Sequence, residues 1–358
     1  MLDNKDGMTN SQGPDDTGLT YGKAGVDISH TDSIKSEMAA YVSSQNPRVL
    51  NGLGPFASLY DIQFSDIENP VLVLKSEEPG SKQKLAMLHG YIESICRDLI
   101  NHLVNDIIVM GAKPLAVLDT IVCGSAEKET ITALVKGISE ACRENECDLV
   151  GGETSIQPGV VDTGVYILTA SIAGIVDRNK IIDGSKIRSG DRVLAVASNG
   201  LHTNGYSLVR LLIDAMPQII SERVGSDSFL EAIMKPHTPY YKAVKGLFGS
   251  EFVRGMAHIT GGGIDGNLSR IMPEGLSARI DLSKVVIPPV FNCIRSKGSI
   301  TDDEMLKTFN CGVGLIIVAD EKHEAAILET VNGFYECYPI GEVLHGSKPV
   351  VFHNELKW

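Results

Sequence analysis

Apolar and polar positions follow two rhythms along this chain. Short apolar runs bounded by turn residues, at 70–75 (PVLVLK), 114–122 (PLAVLDTIV), 148–150 and 165–176 (VYILTASIAGIV), predict strands, the last long and β-branched. Between them, helical patterns are predicted over 33–44, 84–110 and 127–143. The 127–143 segment carries acids early and basic residues late, as the helix dipole prefers. The polar stretch 177–190, punctuated by Gly184 and Gly190, reads as a boundary. Beyond it the pattern predicts strands at 192–198, 256–260, 278–282, 314–320 and 338–344, with helices at 205–215, 240–248, 267–272, 303–309 and 324–332. There is no short-period repeat, and neither half shows the regular alternation of a doubly wound sheet. The expected class is therefore α/β of the mixed, α+β kind, with domains at 19–177 and 178–358 behind a polar, disordered tail at 1–18.

Composition narrows the function. The 358 residues carry a net charge of −13, the wrong sign for a protein that grips nucleic acid through its phosphates. Anionic small molecules stay compatible, because clustered backbone N–H groups bind phosphate inside acidic proteins. The 7 cysteines are odd in number and form no CxxC pair, which favours reduced thiols over a disulfide set or a zinc site. No leader-like segment is visible at the start, and apolar stretches such as 311–319 are too short to span a bilayer. The reading is a cytoplasmic protein with neither membrane nor nucleic-acid partners. GxGxxG and GxxxxGK[ST] are both absent, so Rossmann and P-loop readings fail.

Five features could carry chemistry. At about 100° per residue, Asp98, Asn101, His102 and Asn105 share one helical arc with Asp106 at its edge, while Leu99, Ile100, Leu103, Val104, Ile107 and Ile108 take the opposite arc. Such oxygen donors suit Mg²⁺ with phosphate, and a plain solvated face is the competing reading. The 75–82 loop offers Lys75 and Lys82 to phosphate charge, Glu77 and Glu78 to a metal, Gly80 for backbone N–H donation and Ser81 as a helix cap. Three glycine-bearing strand ends follow: Gly151-Gly152-Glu153; His202-Thr203-Asn204-Gly205; and His258 with Thr260-Gly261-Gly262-Gly263. Tight turns explain any one of them; the ordered set suggests a ligand crevice.

The runs 21–28 (YGKAGVDI), 52–56 (GLGPF), 104–111 (VNDIIVMG), 150–154 (VGGET), 181–186 (IIDGSK), 200–210 (GLHTNGYSLVR), 257–263 (AHITGGG) and 308–314 (TFNCGVG) resemble, in order, those of the AIR synthetase family, the phosphoribosylformylglycinamidine cyclo-ligases. The resemblance implies a two-domain AIR-synthetase-like fold: an N-terminal domain lending strands to an intersubunit β-barrel in a homodimer, and a C-terminal α/β domain. It implies ATP and Mg²⁺ as cofactors and formylglycinamidine ribonucleotide as substrate. The formyl oxygen would take a phosphoryl group, the amidine nitrogen would attack, and the imidazole ring would close. By the same resemblance Asp98, His202 and His258 would be catalytic. Lys75, Gly80, Ser81, Lys82, Asn105 and Asp106 would meet ATP. Glu77, Asp98, Asp106 and Glu153 would hold metal. Gly151, Gly152, Thr203, Asn204, Gly205, Thr260, Gly261, Gly262 and Gly263 would contact the ribotide.

The chain departs from the family pattern in places. The family's TDGVGTK loop reads SEEPGSK at 76–82, a Pro-His-Thr run at 236–238 stands for Pro-Thr-Arg, and Ala39 and Ala40 stand where a basic residue is usual. Two other readings therefore stay open: a paralogue acting on another substrate, and a catalytically impaired, dimeric nucleotide-binding homologue.

Overall fold

The structure is a computed structural model that describes residues 33, 37, 38, 40–42, 45–52 and 56–358. The expected tail at 1–18, the 21–28 run, Ala39 and much of the expected 33–44 helix lie outside the described residues.

The apolar runs of the first half become β1 (Pro70–Glu77), β2 (Lys113–Cys123), β3 (Asp148–Ile156) and β4 (Tyr166–Asp177). They form a sheet ordered β1-β4-β2-β3, with β2 and β3 parallel and the other pairs antiparallel. The helices α1 (Lys82–His89), α2 (Ile92–Ile108) and α3 (Lys128–Glu144) belong to this half, and residues 37, 38 and 40–42 are helical as well. Ile95, Leu99, Leu103 and Ile107 of α2 join Val117, Ile121, Leu168 and Ile172 in one buried core, the usual reason an amphipathic helix lies on a sheet. The opposite face of the sheet is open and apolar, with Leu72, Leu74 and Leu118 exposed by 52, 70 and 48%.

The second half holds β5 (Arg192–Ala197), the short ribbon β6 (Arg223–Val224) and β7 (Asp227–Ser228), then β8 (Val253–His258), β9 (Leu276–Asp281), β10 (Val313–Ala319), β11 (Cys337–His345) and β12 (Val350–His353). The main sheet is ordered β12-β9-β11-β5-β10-β8, antiparallel except at β12–β9. Its helices are α4 (Tyr206–Ala215), α5 (Phe229–Met234), α6 (Tyr241–Val244), α7 (Gly263–Leu268), α8 (Pro289–Gly298), α9 (Asp302–Thr308) and α10 (Glu324–Asn332). Alternate residues of β5 serve two cores. Leu194 and Val196 join the core that holds α2, while Val193 and Ala195 join one with Ala257, Ile316 and Val318. Burial on both faces explains why these strands read as continuous apolar runs.

Several expectations need correction. The single helix at 84–110 is two, because Gly90 ends α1 at φ 76° and donates its N–H to the Ala86 carbonyl. The strand expected to stop at Val150 runs through Gly151 and Gly152 to Ile156, paired with β2. The helix expected from Asn267 begins at Gly263 and passes into a 3₁₀ turn at Ser269–Ile271. The pattern of apolar positions does not predict α5, α8, β12 or the β6–β7 ribbon. Among the described residues no helix is long and apolar enough to cross a membrane.

Candidate active site

Part of the expected set gathers in a cleft of about 650 Å³ between the two sheets, lined by Lys75, Glu77, His102, Asp106, Asn204 and His258, with Thr260, Gly261, Asn267 and Arg270 at its second-domain side. β1 delivers Lys75 and Glu77 from one side, and α2 delivers His102 and Asp106 one helical turn apart. The loop between β5 and the following helix delivers Asn204, and the carboxyl end of β8 delivers His258.

Asp106 is the hub. One carboxylate oxygen receives the His258 Nδ1 hydrogen at 2.7 Å, and the other lies 3.0 Å from Lys75 Nζ. Lys75 Nζ is also 3.0 Å from Glu77 Oε2, and His102 Nε2 stands 3.8 Å from Asp106 and 3.9 Å from Glu77. Burial works against ionisation of Asp106, yet the His258 hydrogen bond and the neighbouring cationic groups hold its carboxyl well below the usual range. Part burial opposes the charge on Lys75 as well, but hydrogen bonds to Glu77 and Asp106 raise it above an ordinary lysine. Burial, helped by His258, lowers His102 to about 4, so it is neutral at physiological pH. Asn204 Nδ2 is shielded and has no partner among the described residues, and Gly261 stands beside its amide oxygen.

The polar stripe of α2 is mostly turned away from solvent, with Asp98, Asn101 and Asn105 buried. Asp98 is fully buried, 2.7 Å from the equally buried Lys82 Nζ, and accepts the His237 backbone N–H at 2.8 Å. Lys82 Nζ donates onward to the carbonyls of His202 at 3.1 Å and Lys235 at 2.7 Å. Asn101 donates to the His237 carbonyl at 2.6 Å, and Asn105 donates to the Thr238 carbonyl at 2.8 Å and accepts from Tyr240 N at 3.1 Å. Three residues on successive turns thus satisfy the backbone of residues 237–240, tying the first half to the second. Asp98, expected to meet metal, and Lys82 and Asn105, expected to meet phosphate, are engaged in this seam in the structure. Ser81 begins α1, but its side chain makes no cap hydrogen bond, which corrects the expected capping role. Gly80 lies against the Thr203 carbonyl.

Gly151, Gly152 and Glu153 do not share the cleft with His258. They line a second hollow on the open face of the first sheet, with Leu74, Leu118, Asp119 and Thr120. Asp119 escaped the sequence reading, since one acid inside an apolar strand gives no periodic signal. Burial pushes its carboxyl up to about 7, against the help of its own backbone N–H.

The glycine loop after β8 is held from within. Asn267 Nδ2 donates to the Thr260, Gly261 and Gly263 carbonyls at 3.3, 3.2 and 2.8 Å, a role the sequence did not reveal. Gly262 caps α7, and Gly263 has φ 60° with a Cβ position only 1.9 Å from the Leu306 carbonyl oxygen. Only Gly261 of the three lines the cleft. Thr203 Oγ1 is 3.1 Å from His102 Nδ1, and Gly205 begins α4 against the Phe309 ring. His202 lies buried behind His258, and His237, unremarked as a site residue in the sequence, places Nε2 at 2.8 Å from His258 Nε2.

Comparison with known proteins agrees with this architecture. Residues 70–176 match the N-terminal domain model of AIR synthase related proteins, and residues 188–354 match the C-terminal domain model. The chain is 40% identical over 309 residues to a phosphoribosylformylglycinamidine cyclo-ligase of Methylobacillus flagellatus, covering 86% of this chain and 89% of the relative. It is 38% identical over 336 residues to that of Geobacter sulfurreducens, covering 91% and 95%. Among solved structures, the hydrogenase maturation protein HypE in complex with ATP shares the fold with a TM-score of 0.64 at 17% identity, over 92% of both chains. Two matched domains in order, and relatives of this identity along nearly the full length, establish that the chain belongs to the AIR synthase family, alongside the phosphoribosylformylglycinamidine cyclo-ligases.

Proposed function

We propose that this chain is a cytoplasmic, ATP-dependent cyclo-ligase that closes the imidazole ring of aminoimidazole ribonucleotide from formylglycinamidine ribonucleotide, releasing ADP and phosphate. The observation that carries the reading is the likeness to cyclo-ligases over both domains, joined to a cleft whose polar groups fit the chemistry. Glu77 and Asp106 converge on one ammonium group at 3.0 Å each, a pair of hard oxygen donors already holding positive charge between them. That donor set suits Mg²⁺, with Lys75 and Arg270 as cations for phosphate oxygens. Bound with Mg²⁺, ATP would supply the phosphoryl group that makes the formyl carbon electrophilic.

The chain's own residues then position and neutralise charge. Asp106 fixes His258 through Nδ1, the arrangement that lets an imidazole take a proton at its other nitrogen. His258 is thereby suited to receive the proton that the amidine nitrogen sheds on ring closure. Asn204, with an unpaired amide N–H₂, and the backbone at Gly261 offer contacts to the ribotide. Gly151, Gly152 and Glu153 would join the site if a second copy covered the open sheet face, and the exposed Leu72, Leu74 and Leu118 support a homodimer there.

The test is ADP formation from ATP and Mg²⁺ with and without the ribotide. Release that depends on formylglycinamidine ribonucleotide, and that falls by about a hundredfold or more in His258→Gln, is expected for loss of a positioned acid–base group. No ribotide-dependent turnover from folded protein would remove the reading. A second reading, a family member acting on another substrate, draws on the SEEPGSK loop and on His237; ATP turnover stimulated by a different phosphorylated compound would favour it.

A further inference from the structure

Four of the nine histidines of this chain meet at the seam between the domains. His202 and His237 are stacked with ring centroids 3.9 Å apart, and His237 and His258 place their Nε2 atoms 2.8 Å apart. The proposed ring closure uses one of these imidazoles and gives His237 nothing to do. Moreover, His202 Nδ1 and His237 Nδ1 are buried without any hydrogen-bond partner among the described residues. An orphaned buried polar atom costs about 1–3 kcal/mol, so these rings invite a ligand.

We infer that His202, His237 and His258 form a binding site for a first-row transition cation of the zinc or cobalt class, separate in chemistry from the Mg²⁺ of the nucleotide. Each ring contributes one nitrogen, and the three lie within 4.8 Å of one another. A tetrahedral ion with nitrogen at about 2.0–2.1 Å needs ligand atoms roughly 3.3 Å apart, so binding requires the His202 ring to turn out of its stack with His237. Neutral imidazoles are the right donors for such ions and poor ones for Mg²⁺. Outer partners are in place as well. Asp106 takes the His258 Nδ1 hydrogen, leaving Nε2 to ligate, and Thr238 Oγ1 sits 3.1 Å from His202 Nε2, leaving Nδ1 to ligate. His237 stands in the run Pro236-His237-Thr238-Pro239, between the fixed φ of Pro236 and a Thr238 that Pro239 keeps out of the helical region. The local charge tolerates a dication: Lys75 and Lys82 are matched by three carboxylates, Glu77, Asp98 and Asp106. A fourth position stays for water or for an anionic group reaching in from the cleft beside His258.

The ion site shares His258 Nε2 with the proposed ring closure, so an ion bound there excludes His258 as the base; it is tested without nucleotide, which keeps the two readings distinguishable. Chelator-stripped protein is titrated with Zn²⁺ by calorimetry, with Co²⁺ by absorption, and with Mg²⁺ as the control. One equivalent of Zn²⁺ or Co²⁺ per chain, a tetrahedral Co²⁺ spectrum and a raised melting temperature are expected, with no competition from Mg²⁺. His237→Gln and His202→Gln should each weaken Zn²⁺ binding at least tenfold, and Asp106→Asn by about 10–100-fold through the outer shell. His345→Gln, an exposed histidine, should leave it unchanged. Wild-type crystals soaked in Zn²⁺ should show an anomalous peak among the three rings, a readout that survives if a variant fails to fold. Absence of a stoichiometric site, equal affinity in His237→Gln and His202→Gln, or a peak elsewhere overturns the inference.

Discussion

At the scale of single residues, burial decides which acids hold structure and which are poised for chemistry. Asp98 and Lys82 form a sealed ion pair whose members also serve backbone groups of residues 202, 235 and 237. Removing one charge leaves the other buried and uncompensated, so Asp98→Asn should lower unfolding stability by about 3–5 kcal/mol in urea titration. A double replacement, Lys82→Met with Asp98→Leu, should be less damaging than the single one; the reverse order would show that hydrogen bonding to residues 202–237 outweighs the charge. Asp119 behaves differently, because no cation opposes the burial that lifts its carboxyl from 3.8 to about 7. A carboxyl raised in the folded state stabilises below its unfolded value, and that contribution is lost as pH rises through the folded value. Relative to wild type, Asp119→Asn should therefore gain stability between about pH 4 and 7 and level off above. At about 1.4 kcal/mol per pKa unit the gain approaches 4 kcal/mol, read from melts across that range. A constant difference at all pH values would mean that Asp119 does not titrate in this window.

At the scale of elements, the sequence revealed polarity more readily than it revealed partners. The arc of Asp98, Asn101 and Asn105 is plain in the 3.6-residue rhythm, but its partner is a segment about 130 residues away, pinned between prolines, and no local pattern announces it. Likewise the loop of Gly261–Gly263 reads as a phosphate cradle, whereas Asn267 and Leu306 show that much of its glycine content answers to packing. Two glycines separate these demands. Gly90 has φ 76° with open space around its missing Cβ, so Gly90→Ala should cost only the left-handed backbone penalty, about 1–2 kcal/mol. Gly263→Ala adds a Cβ 1.9 Å from a carbonyl oxygen and must displace α9, so its thermal destabilisation should be clearly larger. Equal melting temperatures would mean that the α7–α9 contact yields without strain.

At the scale of the molecule, the first sheet is unfinished. Its inner face carries α2 and α3, while its outer face shows Leu72, Leu74 and Leu118 beside the hollow of Gly151–Glu153. Family motifs made the two halves legible, but a strand that is apolar on both faces looks the same whether a helix or a second chain covers it. An apolar sheet face of this kind, continuous with a polar hollow, marks an association surface. The proposed homodimer follows, with Glu153 brought under a second copy instead of left to solvent. Leu74→Glu together with Leu118→Glu places two charges on that face without touching the core or the His258 cleft. Sedimentation velocity should find a dimer for the wild type and a monomer for the double variant, with the far-ultraviolet spectrum unchanged. The same variant should keep Zn²⁺ affinity, since His202, His237 and His258 all come from one chain, yet lose ribotide-dependent ADP release. A double variant that is monomeric but fully active would confine the chemistry to the His258 cleft and leave the second hollow without a part in it.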